Sequence, residues 1–167
     1  REIALMAQDM KLFLQMVRRV AYARIVGRIA REQAGWLAGF GSIDPALVNS
    51  IVIQQARRME HPLWILYVDL AQFFPSCSRN AIAVAELLAG LPKEGAELTA
   101  MIYGAQDDRE EAIECQYDTA AGLGAPFKNY MGALMGCVLS PDKAKILMNT
   151  VVVAINAVAK GVRLWGY

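Results

Sequence analysis

The residues from Leu63 to Leu70 constrain the fold most, because they form a nearly unbroken apolar run, LWILYVDL, with one carboxylate close to its end. The run is short and contains two aromatic residues, which is typical of a buried strand rather than a helix. His61-Pro62 stops the helical pattern that comes before it. Since most other segments have helical periodicity, the sequence predicts a helix-rich α+β fold.

Helical patterns account for most of the remaining chain. In the first of them we expect Phe13, Val17, Val20 and Ile25 to face the core, because they recur near a period of 3.6 residues. A hairpin is predicted from two short segments, 112–119 and 126–130, that Gly122 and Gly124 separate. The predicted helices run from Met10 to Arg31, Asp44 to Met59, Ser78 to Gly90, Lys93 to Tyr103, and from Ser140 onwards.

The last helix has the clearest signals. Ser140 is a predicted N-cap, Pro141 suits the first helical position and Asp142 supplies an acid to the first turn. Apolar residues then recur at intervals of three and four, which predicts that one face of this helix is core. They are Ala144, Leu147, Met148, Val151, Val152, Ile155 and Val158.

The composition of the chain indicates what kind of surroundings the protein has. Hydrophobic residues make up 56% of the chain, so we expect it to bury surface against something else and to be a piece of a larger protein. The apolar stretch from Ile146 to Val158 is shorter than the roughly 20 residues that a bilayer span needs, so no membrane association is predicted. The three cysteines lack the spacing of a zinc site or a disulfide framework, which indicates a reducing, intracellular setting, nuclear or cytoplasmic.

Charge is distributed unevenly, although the formal net charge is only +1. Residues 1–31 carry seven basic residues against two acidic ones, whereas residues 107–118 carry six acidic residues against one basic residue. The first of these regions could therefore face nucleic-acid phosphates, and the second could not. Arg24, Arg28 and Arg31 are spaced to share one helical face, which could contact phosphates or could simply be solvated.

Asp69 is the first candidate for chemistry. A carboxylate at the end of a buried strand is costly unless a cation meets it, and a hard divalent ion could do so with the Leu70 carbonyl as a second ligand. The alternative is a strand-end aspartate that caps the following turn, which is common.

Four segments, LYVDLAQFFPSCSR (66–79), MGCVLSP (135–141), residues 32–44 and residues 1–5, together resemble the reverse transcriptases of retrotransposons and group II introns. LYVDLAQFFPSCSR is similar to polymerase motif A, and Met135 to Pro141, MGCVLSP, is similar to motif B. Glu32 to Asp44 resembles the Gln-x-Gly-Phe segment of the fingers, and Arg1 to Leu5 resembles the Arg-Pro-Ile segment near the start of the fingers. The segments occur in the family's order and span nearly the whole chain. The resemblance implies a partial fingers-palm of a right-hand polymerase, with residues 1–62 as fingers and residues 63–167 as partial palm in one continuous fragment.

The resemblance also implies roles for individual residues. Asp69, with the Leu70 carbonyl, would bind the two magnesium ions of catalysis, and Phe74 would be the aromatic gate that excludes a ribose 2′-hydroxyl. Met135 and Gly136 would lie at the nucleotide, and Arg1 would contact its phosphates. The implied reaction is primer extension on an RNA template, with a DNA primer 3′-hydroxyl attacking the α-phosphate of a deoxynucleotide triphosphate.

Departures from the family pattern leave alternatives open. Pro75 replaces an Asp that often follows the motif A aromatic, and Met135 replaces the Gln of motif B. Motif C, the aromatic-x-Asp-Asp that supplies the other metal ligand, is not in the sequence before Tyr167, and Asp107-Asp108 lies in the wrong place to be it. We therefore expect this chain to be inactive without the remainder of the polymerase. A degenerate relative that binds nucleic acid without catalysis, or an unrelated helical interaction domain, would also fit the sequence.

Overall fold

The computed structural model describes residues 5–30, 32–33, 35, 39–104 and 113–159. The fold is α+β, with helices and two small antiparallel strand pairs. The helices are α1 (Gln8–Val17), a π-helical turn (Arg18–Tyr22), α2 (Ala23–Val26), α3 (Ile43–Arg58), α4 (Phe73–Ser76), α5 (Arg79–Leu88), α6 (Lys93–Tyr103) and α7 (Ser140–Val158). The strands are β1 (Ile113–Cys115), β2 (Asp118–Thr119), β3 (Gly122–Leu123) and β4 (Phe127–Asn129).

The predicted N-terminal helix is shorter than expected and contains a π-helical turn. It ends at Val26 rather than Arg31, and the wider turn rotates the residues that follow it relative to α1. Leu14, Tyr22 and Ile25 are buried, whereas Phe13 and Val20 are exposed. The prediction that Phe13 and Val20 face the core was wrong. In α1 the buried residue is Leu14, next to Phe13, and the π-helical turn that contains Val20 breaks the assumed period of 3.6 residues.

The central helices agree with the local signals in the sequence. Ser78 caps α5 by accepting a hydrogen bond from the Ala81 N–H, and Gly90, with a φ of 90°, lies just beyond its end. Helix α6 follows Pro92 and occupies the predicted range. Helix α5 packs against both α6 and α7, and this packing forms the main core.

The predicted hairpin is confirmed. It consists of two short antiparallel strand pairs, one nested inside the other. Strands β1 and β4 pair with Cys115 opposite Phe127, and β2 pairs with β3 across the tight turn. The rings of Tyr117 and Phe127 stack with their centroids 4.8 Å apart. Residues 130–133 directly follow β4 of the outer pair, and they form part of the candidate site.

The prediction of a buried strand over Leu63–Leu70 was wrong. These residues form no helix or strand and all of them are exposed, Trp64 to 95% and Leu66 to 86%. A strand is defined by hydrogen bonds to a neighbouring strand, and none of the residues that the structure describes offers one here. Leu63 and Ile65 instead line an open groove of about 470 Å³ beside Ile53 and Ala56 of α3.

Helix α3 also lies outside the core. It spans nearly the predicted residues, and the Asp44 carboxylate accepts a hydrogen bond from the Gly41 N–H 2.6 Å away. None of its residues is buried, and Ile43, Leu47 and Ile51 form an exposed apolar stripe at intervals of four residues. Together, α3 and the 63–70 segment form an apolar surface that the rest of the described chain does not cover.

Helix α7 begins where predicted, but its core face is only partly confirmed. Its first two turns are buried, whereas its second half is largely exposed, with Val158 at 83%. Ser140 is the first helical residue and makes no side-chain cap, because its hydroxyl donates to the Leu134 carbonyl 2.6 Å away. In the part of the chain that the structure describes, no helix is long and apolar enough to cross a membrane.

Candidate functional site

Two segments that lie far apart in the sequence meet through their backbones. The Gly132 N–H donates to the Cys77 carbonyl at 2.9 Å, and the Ala133 N–H donates to the Phe74 carbonyl at 2.8 Å. Helix α4 and its flanks supply the first segment, and the residues after β4 supply the second. The part that resembles motif A is therefore in contact with the approach to the part that resembles motif B.

This approach is close because residue 132 has no side chain. Gly132 has a φ of 86°, in the left-handed region that favours glycine. A β-carbon added there would lie 2.6 Å from the Pro75 carbonyl oxygen and 2.7 Å from the Phe74 carbonyl oxygen. Both atoms belong to the backbone, so neither can move aside by changing rotamer.

We expect Gly132→Ala to lower the free energy of unfolding by about 2–4 kcal/mol, because backbone strain and a backbone clash act together. Gly122→Ala is the matched control, since Gly122 also has a positive φ, 107°, but has open space around it. Strain alone should cost the control about 1–2 kcal/mol. Urea unfolding followed by circular dichroism measures both variants. Equal losses would show that the two segments are not in close contact.

Asp69 lies in the exposed 63–70 segment, one residue before the exposed Leu70. The chain then turns at Gln72, whose φ of 50° is left-handed, and enters α4. The structure therefore places Asp69 upstream of the contact between the two segments, with no strand to support it. Among the residues that the structure describes, no group of three His, Cys, Asp or Glu side chains could hold a metal ion.

Phe73 and Phe74 are both half-buried. Their ring centroids are 5.8 Å apart in an edge-to-face arrangement. Both pack against a small core cluster of Cys77, Ile82 and Ala133. Each ring therefore has an apolar contact and a partly accessible surface, so the arrangement allows either a gate or a core role for Phe74.

The turn that contains Met135 and Gly136 is held firmly at its far end. Met135 is half-buried, and Gly136 is exposed with a φ of 93°. The Tyr103 hydroxyl is 2.6 Å from the Cys137 sulfur and 3.1 Å from the Ser140 hydroxyl. Burial is the main cause that raises the pKa of Tyr103, and the nearby Cys137 thiol raises it further. The Tyr103 hydroxyl therefore keeps its proton.

Below this turn, a buried carboxylate joins four elements of the fold. Glu86 of α5, 0% exposed, accepts hydrogen bonds from the Tyr22 hydroxyl, from the Thr99 hydroxyl at 2.9 Å and from the Lys143 ammonium at 2.9 Å. The Lys143 nitrogen also lies 4.6 Å from the centroid of the Tyr103 ring. Burial lowers the pKa of Lys143, and Glu86 opposes that shift.

A second buried acid ties the N-terminal helices to α7. Asp142 accepts from the Arg18 guanidinium and lies 2.9 Å from the Lys145 ammonium. Asp142 and Lys145 are both buried, although Asp142 was predicted only as a first-turn acid. The π-helical turn begins at Arg18 and ends at Tyr22, so it faces both buried acids, Asp142 and Glu86.

The predicted basic stripe does not lie on one helix. Arg24 is exposed on α2, but Arg28 follows the helix end, and its guanidinium donates to the Ala89 carbonyl at 3.2 Å. Arg1, Arg31 and Asp107-Asp108 lie outside the described residues. The prediction that the stripe shares a helical face was wrong for Arg28, because Gly27 ends α2 before it.

Sequence reasoning missed the buried polar residues that organise this region. Glu86 stands alone among apolar residues in AIAVAELLAG, a pattern that indicates a buried carboxylate. Arg79 is a cation at a helix N-terminus, where the helix dipole disfavours positive charge. Lys143 and Lys145 gave no comparable signal, since lysines are usually solvated.

The comparisons with known proteins identify no relative: no protein-family model, no curated protein and no solved structure matches this chain.

Proposed function

We propose that this chain is part of an RNA-directed DNA polymerase, a nucleotidyltransferase of the reverse-transcriptase kind, in which it forms the fingers and the first part of the palm. Its substrates would be an RNA template, a DNA primer and deoxynucleotide triphosphates. The remaining part of the polymerase would be its structural partner. Asp69, Phe74 and the Met135–Gly136 turn would form its part of the nucleotide site.

One observation carries this proposal: the backbone contact between Phe74–Cys77 and Gly132–Ala133. The resemblance requires motifs A and B to share one nucleotide site, although almost sixty residues separate Phe74 from Ala133. An unrelated helical interaction domain could also bring two such segments together, but nothing in that function requires it. The contact therefore favours the polymerase over that alternative.

The exposed 63–70 segment gives independent support for a larger fold. Its apolar side chains and unpaired backbone would be a liability on a complete surface, because an uncovered apolar segment invites aggregation. In the proposed polymerase, the remaining part of the palm would cover this segment, which carries Asp69.

The described residues do not by themselves fit two magnesium ions. Asp69 is a single carboxylate, and the part of the chain that the structure describes contains no cluster of acidic ligands beside it. Two divalent ions require more oxygen ligands than one carboxylate and a carbonyl provide. We therefore assign Asp69 only the role of one charged ligand in the complete enzyme.

The gate role of Phe74 tests the proposed site most specifically. In a protein extended through motif C, Phe74→Val should raise incorporation of ribonucleotides relative to deoxynucleotides by about a hundredfold, because the ring no longer fills the space of the 2′-hydroxyl. That factor corresponds to about 3 kcal/mol of discrimination. Single-nucleotide primer extension with each nucleotide type measures the ratio.

Phe73→Val is the matched control, since Phe73 is equally half-buried in the same core cluster. If Phe74 were only a core residue, its truncation would depress both activities together and leave their ratio unchanged. A ratio that moves for Phe73 and not for Phe74 would mean that the motif A register is off by one. Asp69 would then need reassignment too.

A second candidate is a catalytically degenerate relative that keeps the fold and binds nucleic acid. Two departures favour it: Pro75 stands where the family often has Asp, and Met135 stands where it has Gln. The thioether of Met135 is a weak acceptor and has no donor, so it cannot replace an amide that hydrogen-bonds a nucleotide. Template binding without primer extension would identify this relative.

A further inference from the structure

Arg79 is a buried cation whose position the proposed function does not yet use. It is the first residue of α5, and only 6% of it is exposed. Burial lowers the pKa of its guanidinium, which shows that the surroundings disfavour the charge. A charged group in such a place is tolerated only when hydrogen bonds satisfy it.

The N–H groups of the Arg79 guanidinium donate hydrogen bonds mainly to backbone carbonyl oxygens, which belong to different segments of the chain. Its Nε donates to the Gly132 carbonyl at 3.2 Å, and one terminal nitrogen donates to the Asn129 carbonyl at 2.9 Å and to the Tyr103 carbonyl. The other terminal nitrogen reaches the Asn129 side-chain oxygen at 3.0 Å and the Met131 carbonyl at 3.4 Å. The planar guanidinium, whose N–H groups form a fork, therefore binds both the end of α6 and the segment from Asn129 of β4 to Gly132.

Arg79 is also only two residues from Cys77, whose carbonyl accepts the Gly132 N–H. The same stretch of chain thus holds residues 129–133 by backbone bonds on one side and by the guanidinium on the other. Through Tyr103, the network reaches Cys137 and Ser140 at the far end of the Met135–Gly136 turn.

We propose that Arg79 is a positioning residue that sets the placement of the Met135–Gly136 turn relative to Phe74. This inference rests on the proposed function for its consequence in catalysis, but the positioning itself can be tested without activity. The amides of Gly132 and Ala133 are the natural reporters, because each donates across the contact between the two segments.

The first experiment measures amide hydrogen exchange in the 167-residue chain. Arg79→Lys keeps the charge but loses the fork, so exchange at Gly132 and Ala133 should accelerate by about tenfold or more. The amides of Ile146 and Leu147, in the packed half of α7, should change much less. Arg58→Lys, at an exposed arginine of α3, is the matched control and should leave all of these rates unchanged.

Two outcomes would overturn the proposal: no acceleration at Gly132 and Ala133, or an acceleration that is equal throughout α7 and so reports only global unfolding. If Arg79→Lys does not fold, Arg79→Gln is used instead, since its neutral amide keeps two N–H donors but loses the fork, and the Asn129 side chain keeps its bond to the Met131 N–H. A local acceleration in that variant would support the proposal, and a uniform or absent one would overturn it.

The second experiment uses the polymerase extended through motif C at a temperature where parent and variant are equally folded. Arg79→Lys should raise the KM for deoxynucleotides about tenfold or more and lower discrimination against ribonucleotides, with a smaller effect on kcat. If amide exchange at Gly132 and Ala133 accelerates in Arg79→Lys but neither the parent polymerase nor the variant extends primers, the positioning role is upheld and the polymerase is rejected. An active parent whose Arg79→Lys variant has unchanged KM and discrimination would reject the positioning role.

Discussion

If the chain is part of the proposed polymerase, Asp69→Asn is expected to reduce magnesium-dependent primer extension by about a thousandfold or more in a protein that includes motif C. The amide has nearly the size of the carboxylate but lacks the charge that would hold a divalent ion. Such a loss corresponds to about 4 kcal/mol of transition-state stabilisation. Template binding should be largely preserved, because Asp69 is exposed and lies outside the core. Steady-state extension assays and a separate template-binding titration measure the two effects.

Asp118→Asn is a suitable control, since Asp118 is an exposed carboxylate on β2, within the small hairpin. It should leave extension unchanged. If the Asp69→Asn protein extended primers at the parental rate, Asp69 would not be a metal ligand. If neither the parent nor the variant extended primers while both bound template, the degenerate relative would be the better description.

Glu86→Ala is expected to lower the free energy of unfolding by about 3–5 kcal/mol, the usual cost of leaving a buried charge without its partner. The Lys143 ammonium would lose its carboxylate in a site where burial already lowers its pKa. The Tyr22 hydroxyl would also lose its acceptor. A loss of this size is a large share of the stability of an ordinary domain. Urea unfolding followed by circular dichroism measures it.

Two further variants distinguish the loss of the Glu86–Lys143 ion pair from the general effect of a substitution on the free energy of unfolding. Glu97→Ala removes an exposed carboxylate of α6 that lies 3.4 Å from Lys93, and it should cost no more than about 0.5 kcal/mol. Replacing Glu86, Lys143 and Tyr22 together by Leu, Met and Phe should restore most of the stability, since the Thr99 hydroxyl keeps the Ala96 carbonyl and no polar group of this network is left without a partner. A Glu86→Ala loss no larger than that of Glu97→Ala would contradict the buried network.

Local signals predicted the helices that depend on them. Ser78 and Gly90 bounded α5, Pro92 preceded α6, and Pro141 stood at the start of α7, because caps and proline act on neighbouring backbone groups only. The hairpin followed from the glycines between two short segments in the same way.

The N-terminal helix shows where local reasoning failed. Its apolar spacing suggested an unbroken helix that buries Val20, yet the π-helical turn buries Tyr22 instead. That turn is accompanied by bonds from Arg18 to Asp142 and from Tyr22 to Glu86. Partners more than sixty residues away therefore contribute to the register, and no local period reports them.

For the candidate site, the sequence by itself determined which residues could do chemistry. It supplied Asp69 after an apolar run, the two phenylalanines and a glycine turn before Ser140-Pro141. These are properties of residue type and short spacing, and they underlie the resemblance to reverse transcriptases.

Only the tertiary structure decided how these pieces are held. It joined Phe74 to Ala133, enclosed Arg79 among carbonyl oxygens and paired Glu86 with Lys143 across 57 positions. It also left the 63–70 run exposed, because apolar composition favours burial but a strand exists only when another backbone is there to pair with it. Hydrogen bonds and charge pairs between distant segments depend on three-dimensional proximity, which a single sequence does not encode in any local pattern.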